Sequence, residues 1–498
     1  DGVIFQTYTQ LMLYNGNSIK VIESSSDFHF SFMINKEYYV NDMKNGLMRY
    51  AMGELFPLKG MEPLIGKEIW GILPLNNRLL IATASDGTYI YNGNSLQPIF
   101  DQSTDFLKKN QIYSTRLLEN DRVVYGTIQN GILICDENGK PLKHLNMDDG
   151  LQNNTILCIA VDYLGNLWLG TDHGIDYIKV NSPLTRISNN YGLSSGYAAT
   201  LKEDRLYLGT NQGLFTQKSD VFNSVLVDRK KMSLIDETKG QVWSLSDIDG
   251  TLFCGHNNGA FIIEGSDAKK ISDIQGAWTF IQVPNLPNKI IGGTYTGLVL
   301  YGKEDGVWGF EKQLYGFSES SRQIDFDDDG TLWISHGYQG VYHLLFNNKY
   351  DSIIKVDFYN NNNSNIPEQF ASLAKFDDKI MFLTSKGVLE YQADKDDFFV
   401  NEEYTRIFGD EPIRAINRDM NQNIWYFDNN NVGVMRLGED GKYVNISIPF
   451  KELEGSFIYS FDLVYPYDKR NVFFGTENGF VHYQPNFNKD YSYKFQSY

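Results

Sequence analysis

The feature that most constrains the fold is a short sequence motif that recurs along the whole chain. Three clear copies begin at Asp162, Asp247 and Asp327 and read DYLGNLWLGTDHGIDYIKV, DIDGTLFCGHNNGAFII and DDDGTLWISHGYQGVYHL. Each copy holds a polar turn, an apolar strand that alternates with period two, a second turn ending in glycine, and another strand. If the repeats were helical, their apolar residues would recur with a period of about 3.6 residues instead. The pattern therefore predicts repeated antiparallel hairpins.

The glycine that closes the second turn defines the size of the repeating unit. It recurs every 38 to 47 residues, at Gly46, Gly87, Gly131, Gly174, Gly213, Gly259, Gly297, Gly340, Gly387, Gly433 and Gly479. A period of about 40 to 50 residues is typical of the four-stranded blades of β-propellers. The large side chains of the second strand are expected to form the core between blades: Trp168, Phe253, Trp333 and Trp425.

Twelve units are counted when the text VIFQTYTQLMLYNG at residues 3–16 is included, with Gln10 at the glycine position. A single ring typically holds about 4 to 8 blades. We therefore predict an all-β fold with two β-propellers of four-stranded blades, the second seven-bladed and the first incomplete in this chain. Residues 1–190 are expected to form the first propeller with about five units and a truncated start, and residues 191–485 the second.

Composition excludes several classes of function. The net charge of −18 and the pI near 4.9 oppose binding to nucleic acid or to an anionic membrane surface. No run of about 18 apolar residues is present, so the sequence predicts no membrane span. Cys135, Cys158 and Cys254 each lie in apolar strand text, without the spacing of a disulfide framework or a zinc site, and are expected to be small buried hydrophobic residues.

Several units resemble a known repeat. DYLGNLWLGTDHGIDYI, LYLGTNQGLF at residues 206–215 and VFFGTENGFVHY at residues 472–483 are similar to the two-component regulator propeller repeat. That repeat occurs in the periplasmic sensor regions of membrane-spanning regulators from Bacteroides-type bacteria, which include hybrid histidine kinases. In this family an immunoglobulin-like domain with three tyrosines follows the second propeller. The resemblance therefore implies that residues 486–498 begin such a domain.

The resemblance also carries expectations about function. It implies the periplasmic portion of an inner-membrane protein, which reaches the membrane only through a C-terminal helix missing from this sequence. The implied role is to sense a ligand, usually a glycan fragment, and to control the transcription of polysaccharide-use genes. A homodimer is implied as well, and so is an output module that lies outside this segment.

The geometry of a blade predicts where a ligand would bind. The start of the innermost strand and the turn between the second and third strands lie on the same rim of a propeller. Aromatic rings there suit the faces of sugars, and arginines suit a carboxylate or sulfate. The predicted ligand-binding residues of the second propeller are Tyr197, Trp243, His256, Trp278, Tyr295, Arg322, Tyr338, Arg414 and Tyr459. Two alternatives stay open: the aromatics only plug the centre of the ring, or a ligand binds between the two propellers.

The sequence predicts no metal, no cofactor and no catalytic residue. Asp325, Asp327 and Asp329 open a calcium-loop pattern, but its twelfth position is His336 instead of glutamate. Histidines in different second turns have unequal offsets from the closing glycine, which opposes a shared metal. No nucleophile or zinc-protease motif is present. Sensing is therefore favoured, with a propeller polysaccharide lyase or glycoside hydrolase, and then a protein-interaction scaffold, as the alternatives.

Overall fold

The chain is all-β. A computed structural model describes residues 2–99, 101–188, 192–218, 232–337, 339–367, 372–376, 379–408, 412–429, 431–468 and 471–484. These residues form twelve antiparallel sheets, ten with four strands and two with three. The prediction of an all-β protein built from four-stranded propeller blades is confirmed. None of the helices in the described ranges has the length and apolarity that a membrane crossing requires.

The chain divides into two compact units, with the division between Ser182 and Pro183. The sheets are called blades 1–12 below, and the strands of a complete blade are called A to D in the order in which they pair. The predicted domain boundaries stay predictions. Residues 486–498, where a following domain is expected to begin, lie outside the described residues.

The first unit contains blades 1–5. Blade 1 is formed by β1 (Val3–Gln6), β2 (Gln10–Tyr14) and β3 (Ile19–Glu23), and blade 2 by β4 (Phe28–Ile34), β5 (Glu37–Asp42), β6 (Gly46–Ala51) and β7 (Glu54–Pro57). Blade 3 is formed by β8 (Ile69–Leu75), β9 (Arg78–Thr83), β10 (Thr88–Tyr91) and β11 (Leu96–Pro98). Blade 4 is formed by β12 (Ile112–Leu117), β13 (Val123–Thr127), β14 (Ile132–Cys135) and β15 (Pro141–Leu145), and blade 5 by β16 (Ile156–Val161), β17 (Leu167–Thr171) and β18 (Gly174–Ile178). Between these strands lie α1 (Gln102–Asn110) and the short 3-10 helices Glu62–Leu64 and Met147–Asp149.

The second unit begins with β19 (Leu184–Ile187) and contains blades 6–12. Blade 6 is formed by β20 (Gly196–Lys202), β21 (Arg205–Thr210), β22 (Leu214–Lys218) and β23 (Ser233–Leu234), and blade 7 by β24 (Val242–Ile248), β25 (Thr251–His256), β26 (Gly259–Glu264) and β27 (Asp267–Ser272). Blade 8 is formed by β28 (Thr279–Gln282), β29 (Lys289–Thr294), β30 (Gly297–Glu304) and β31 (Val307–Leu314), and blade 9 by β32 (Gln323–Phe326), β33 (Leu332–His336), β34 (Gly340–Phe346) and β35 (Ile353–Tyr359). Blade 10 is formed by β36 (Ser372–Phe376), β37 (Lys379–Thr384), β38 (Gly387–Gln392) and β39 (Asp397–Val400), and blade 11 by β40 (Ala415–Arg418), β41 (Ile424–Phe427), β42 (Val432–Leu437) and β43 (Tyr443–Ile446). Blade 12 adds β44 (Val464–Pro466), β45 (Val472–Thr476) and β46 (Gly479–Tyr483) to β19. The described part of the unit also holds α2 (Glu402–Phe408) and the 3-10 helices Asp236–Thr238 and Ile448–Leu453.

The seven blades of the second unit close into a ring. Strand β19 supplies the outermost strand of blade 12 by pairing with β46, so the two ends of the unit share one sheet. Blade 12 also meets blade 6, because the backbone N–H of Leu201 donates to the hydroxyl of Tyr465 at 3.2 Å. On its other side, the amide of Asn417 donates to the carbonyl of Val464 at 3.0 Å. The A strands of neighbouring blades contact one another and therefore line the inside of the ring.

Threonine and glycine together explain the recurring turn between strands B and C. The threonine that ends strand B donates its hydroxyl to the carbonyl of the glycine at or just before the start of strand C, which closes the turn. This bond recurs at Thr83, Thr127, Thr171, Thr210, Thr294, Thr384 and Thr476, at distances of 2.8 to 3.1 Å. Gly433 departs from the predicted position, because it lies within strand C of blade 11 opposite Tyr426.

In five of these seven turns a glycine precedes the threonine, and this glycine allows neighbouring blades to approach closely. A Cβ on Gly293 would lie 1.9 Å from the carbonyl oxygen of Ser321 in blade 9, and a Cβ on Gly475 would lie 2.5 Å from the carbonyl oxygen of Gly196 in blade 6. Atoms do not approach so closely, so a larger residue would push the next A strand away. The repeated Gly-Thr pair thus sets both the turn and the packing of the next blade.

Most of the expected core residues are buried between blades, and Trp168 is the exception. Phe253, Trp333 and Trp425 are buried as predicted, whereas Trp168 of blade 5 is 47% exposed. The expectation for Trp168 was wrong because, within the described residues, no further blade packs on that face of blade 5. Cys135 and Cys254 are buried, but Cys158 of the same blade is exposed, again contrary to expectation.

Candidate ligand site in the second unit

A local irregularity turns the first residues of several A strands toward the inside of the units. The pairing of strands A and B shifts by one residue at Trp70, Tyr113 and Leu157 in the first unit, and at Tyr197 and Trp243 in the second. Such a bulge leaves one residue unpaired and changes the direction of its side chain. Because the A strands are innermost, this places a large side chain of successive blades on the inner wall.

The aromatic side chains of blades 6, 7 and 8 meet around one further ring, that of Phe461. Trp243 packs against Tyr197 and Trp278 with ring centroids 5.4 and 4.6 Å apart. Phe461 stacks on Trp243 with a centroid distance of 5.4 Å, and it packs edge-on against Tyr197 at 5.2 Å. We call these four residues, together with Arg322, Arg414 and Asp462, the aromatic–arginine cluster.

Arg322 of blade 9 extends the cluster by packing over the ring of Phe461. Its guanidinium carbon lies 3.7 Å from the centroid of the Phe461 ring and 5.7 Å from that of Trp278. It also donates a hydrogen bond to the carbonyl oxygen of Ser460. A guanidinium over an aromatic face is attracted by the ring quadrupole, so Arg322 stabilises the present position of Phe461.

Arg414 of blade 11 forms the second cationic position. One of its terminal nitrogens donates to Oδ1 of Asp462 at 2.8 Å, and its Nε donates to the carbonyl of Asp428 at 2.8 Å. The side chains of Arg414 and Asp462 are only 14% and 4% exposed. Burial raises the pKa of Asp462 to about 6, although Arg414 and Arg322 act to lower it. The carboxylate is therefore held in a poorly solvated place by two arginines.

The structure brings together five of the nine predicted ligand-binding residues and places two more at their edge. Tyr197, Trp243, Trp278, Arg322 and Arg414 belong to the cluster. Tyr295 packs against Trp278 with centroids 4.9 Å apart. Tyr459 is exposed and lies over the guanidinium of Arg414, with 5.1 Å from its ring centroid to the guanidinium carbon.

One predicted residue among those that the structure describes does not join the cluster. His256 is buried, and it uses both ring nitrogens in its own turn, with Thr238 O at 3.1 Å and Asn258 N at 3.0 Å. Burial lowers the pKa of His256, which favours the neutral ring that these bonds require. Tyr338 lies outside the described residues.

Phe461 and Asp462 are missed by the sequence analysis. They belong to the segment between the 3-10 helix Ile448–Leu453 and β44, which replaces the start of a regular A strand in blade 12. In the sequence FIYSFD the repeat pattern assigns Tyr459 to the start of the A strand, so Phe461 and Asp462 are passed over. Only the ring closure places this segment against the A strands of blades 6 to 8.

The first unit carries a related line of aromatic rings. Trp70 of blade 3 lies 3.9 Å from Tyr113 of blade 4 and 4.8 Å from Phe30 of blade 2, measured between ring centroids. His29 packs against both Phe30 and Trp70, and its Nδ1 lies 3.2 Å from the carbonyl of Ile69. The same A-strand position therefore produces inner aromatic contacts in both units.

Metal-binding groups do not converge in the part of the chain that the structure describes, since no group of three or more His, Cys, Asp or Glu side chains could hold an ion there. The aspartates of the calcium-like turn bond locally instead. Asp327 accepts from the indole of Trp333 at 3.2 Å, and Asp329 accepts from the backbone and hydroxyl of Thr331. These bonds are those of a hairpin turn.

The raised pKa of Asp462 predicts a pH dependence of stability. Since the folded state binds this proton more tightly than the unfolded state, the contribution of Asp462 is largest below pH 4 and is lost as the pH rises through 6. Relative to an Asp462→Asn variant, the wild type should lose on the order of 2 kcal/mol of unfolding free energy between pH 4 and 7. Denaturant unfolding of both proteins at several pH values measures this difference. If the unfolding free energy of the wild type minus that of Asp462→Asn stayed constant or rose with pH, the assignment would be contradicted.

The structure thus defines a β-propeller protein, and its second unit is a closed seven-bladed ring that holds the aromatic–arginine cluster. Comparison with known protein families finds that residues 150–173 match the repeat described as two component regulator propeller. This segment thus carries the repeat that the resemblance predicted. No curated protein matches the sequence.

Solved structures with a similar fold are distant in sequence. The extracellular domain of the hybrid two component system BT3049 from B. thetaiotaomicron is 15% identical with a TM-score of 0.53, covering 97% of this chain and 80% of that one. The corresponding domain of BT4673 from the same organism is 16% identical with a TM-score of 0.46, covering 100% and 70%. Virginiamycin B lyase from Staphylococcus aureus is 13% identical with a TM-score of 0.40, covering 60% and 98%. At these identities the first likeness shows the shared fold.

Proposed function

We propose that this chain is the extracytoplasmic ligand-sensing region of a membrane-spanning signal transduction regulator. The match to the regulator propeller repeat at residues 150–173 supports this, and so does the fold shared with an extracellular sensor-type domain. In this proposal the segment is periplasmic and performs no chemistry itself. Its signal passes to an output module, such as a histidine kinase, that controls polysaccharide-utilisation genes.

The observation that carries the proposed ligand is the aromatic–arginine cluster. Three aromatic rings from adjacent blades, Tyr197, Trp243 and Trp278, converge with Arg322 and Arg414 inside one ring of blades. Flat aromatic faces bind the apolar faces of sugar rings, and planar guanidinium groups bind hydroxyls and anions with defined geometry. Pockets that combine apolar walls with a few convergent polar groups are typical of small-ligand sites. An oligosaccharide therefore fits the cluster better than a flat protein surface would.

The proposed signal is a change in the equilibrium between two arrangements of a homodimer. A ligand shifts such an equilibrium only by the difference between its affinities for the two arrangements. A site inside a rigid ring of blades can supply this difference if ligand binding moves a segment of the ring that also reaches its surface. The segment with Tyr459, exposed on one side and in contact with the cluster on the other, has this property.

We expect Trp243→Ala and Arg322→Ala each to weaken oligosaccharide binding by at least about tenfold, because each removes a direct ring or cation contact. A thermal-shift screen of neutral and acidic oligosaccharides identifies the ligand, and calorimetric titration then gives the dissociation constants. Tyr315→Ala serves as the matched control, since Tyr315 is an exposed aromatic outside the cluster. Equal binding by all variants would exclude the cluster as the site.

A further inference from the structure

The segment that fills the aromatic–arginine cluster belongs to the chain itself. It runs from Gly455 to Leu463, between a 3-10 helix and the A strand of blade 12. Ser460 in its middle has a φ of +65°, which is unfavourable for a residue with a side chain. Such a backbone conformation is kept where neighbouring contacts hold it in place. Here the neighbouring contacts are those of Phe461 and Asp462.

The surroundings of Phe461 are those that a site offers to a six-membered ring. One face stacks on Trp243 with an angle of 21° between the ring planes, and the guanidinium of Arg322 lies 3.7 Å from the ring centroid. Tyr197 and Trp278 pack around it at 5.2 and 6.3 Å. These four neighbours are all partly exposed, so solvent reaches the cluster beside Phe461.

Asp462, the residue after Phe461, places a carboxylate beside the phenyl ring. Asp462 lies 2.8 Å from Arg414, and Arg322 also acts on its charge. Burying a carboxylate is costly even beside arginines, so an ion pair here is weak evidence for a purely stabilising role. Burial also raises the pKa of Asp462 to about 6, which agrees with an incompletely compensated charge. The segment thus brings one flat ring and one adjacent anion to the cluster.

We propose that Phe461 and Asp462 act as an internal substitute for the ligand, and that the ligand is an anionic saccharide that displaces residues 456–463. A sugar ring that bears a carboxylate or a sulfate has the same two features, a ring for Trp243 and an anion for Arg322 and Arg414. The inference rests on the proposed sensing function and specifies its ligand class and its switch. Displacement of the segment moves Tyr459 at the surface, which links binding to a change that an output module can detect.

A competing internal group weakens the apparent affinity for the ligand. The apparent dissociation constant equals the intrinsic one divided by the fraction of molecules in which the group is already displaced. Removing the competitor therefore strengthens binding, which is the opposite of what removing an ordinary contact residue does. We expect Phe461→Ala and Asp462→Asn each to lower the dissociation constant for an acidic oligosaccharide by about tenfold or more. Asp462→Asn keeps the shape of the side chain, so it tests the idea if Phe461→Ala folds poorly. Phe310→Ala, an exposed phenylalanine of blade 8, is the matched control and should leave binding unchanged.

Calorimetric titration of these proteins with matched probes makes the test. The anionic groups of tetragalacturonate are all carboxylates, and its fully methyl-esterified form is neutral with the same sugar rings. The anionic groups of a carrageenan tetrasaccharide are all sulfates. Binding of either acidic probe, with little binding of the methyl ester and tighter binding by both variants, supports the proposal and shows which anion is preferred. Amide hydrogen exchange should become faster in residues 456–463 when the acidic probe binds.

Three results would overturn the inference. The methyl ester could bind as tightly as the acid while Trp243→Ala still abolishes binding, in which case the site is a neutral-sugar sensor and the proposed function survives. Binding of the acid could become weaker in both variants, so that Phe461 and Asp462 are contacts and not competitors. Finally, none of the probes could bind to any of the proteins, including the variants with the segment weakened, which would count against both the ligand class and the sensing site.

Discussion

Replacing Trp333 with alanine should lower the unfolding free energy of the second unit by about 3–5 kcal/mol, the cost of emptying a large aromatic position in a packed core. Trp333 is fully buried between blades 9 and 10, where it packs against Phe382 and Phe398. Its indole plane lies parallel to the ring of His343, with centroids 3.9 Å apart. Its N–H donates to Asp327 at 3.2 Å, so the substitution also leaves that carboxylate without this donor.

The repeat itself supplies the control for this experiment. Trp168 occupies the corresponding place in blade 5, but it is half exposed and packs mainly against Tyr177. Trp168→Ala should therefore cost less than about 1 kcal/mol, the usual effect of a change at an exposed position. Calorimetric unfolding of the two variants beside the wild type measures both values. Similar losses for Trp333→Ala and Trp168→Ala would show that the exposure difference described above does not hold in solution.

Proline at Thr185 is expected to weaken the closure of the ring of the second unit, at a cost of about 1–3 kcal/mol for the facing carbonyl that loses its donor. The N–H of Gln484 donates to the carbonyl of Pro183 at 2.9 Å, and hydrogen-bonded pairs alternate along antiparallel strands. Thr185 and His482 therefore form the next hydrogen-bonded pair of β19 and β46. Proline at Thr185 removes the donor of that pair, and with it a bond that ties the start of the unit to its end.

Proline at the neighbouring Arg186 is the control. It tests whether the loss of stability comes from the broken strand pairing or from proline as such. Arg186 faces Val481 in a pair without ladder hydrogen bonds, so its N–H points away from β46. Because β19 is an edge strand, Arg186→Pro should be tolerated much better than Thr185→Pro. Denaturant unfolding followed by circular dichroism compares the two variants. Equal stability of both with the wild type would mean that β19 does not close the ring.

Much of the fold could be predicted from the sequence because it depends on contacts within one repeat. The hairpin between strands B and C needs only a threonine at the end of one strand and a glycine at or just before the start of the next, as Thr210 and Gly213 show. Period-two alternation over a few residues likewise specifies a strand and its two faces. Such local interactions recur along the described chain, with the threonine–glycine bond in seven blades, and they produce similar sheets.

Part of the candidate site could also be predicted, since the first residues of an A strand lie inside any propeller. Tyr197, Trp243 and Trp278 meet as expected, and the bulges that direct Tyr197 and Trp243 inward belong to the repeat. His256 shows the limit of this reasoning. Its turn position is right, but its own hydrogen bonds to Thr238 and Asn258 hold the ring away from the cluster.

The amino-acid text by itself determined the repeating sheet, its turns and the aromatic character of the inner strands, because neighbouring residues along the chain carry those interactions. The tertiary structure alone decided which tryptophan is buried, where β19 pairs, and that Phe461 and Asp462 fill the cluster. Each of these depends on residues far apart in the sequence, such as Arg322 and Phe461, or β19 and β46. Burial and charge pairing arise when the ring closes, and no local pattern encodes a contact across nearly 300 residues.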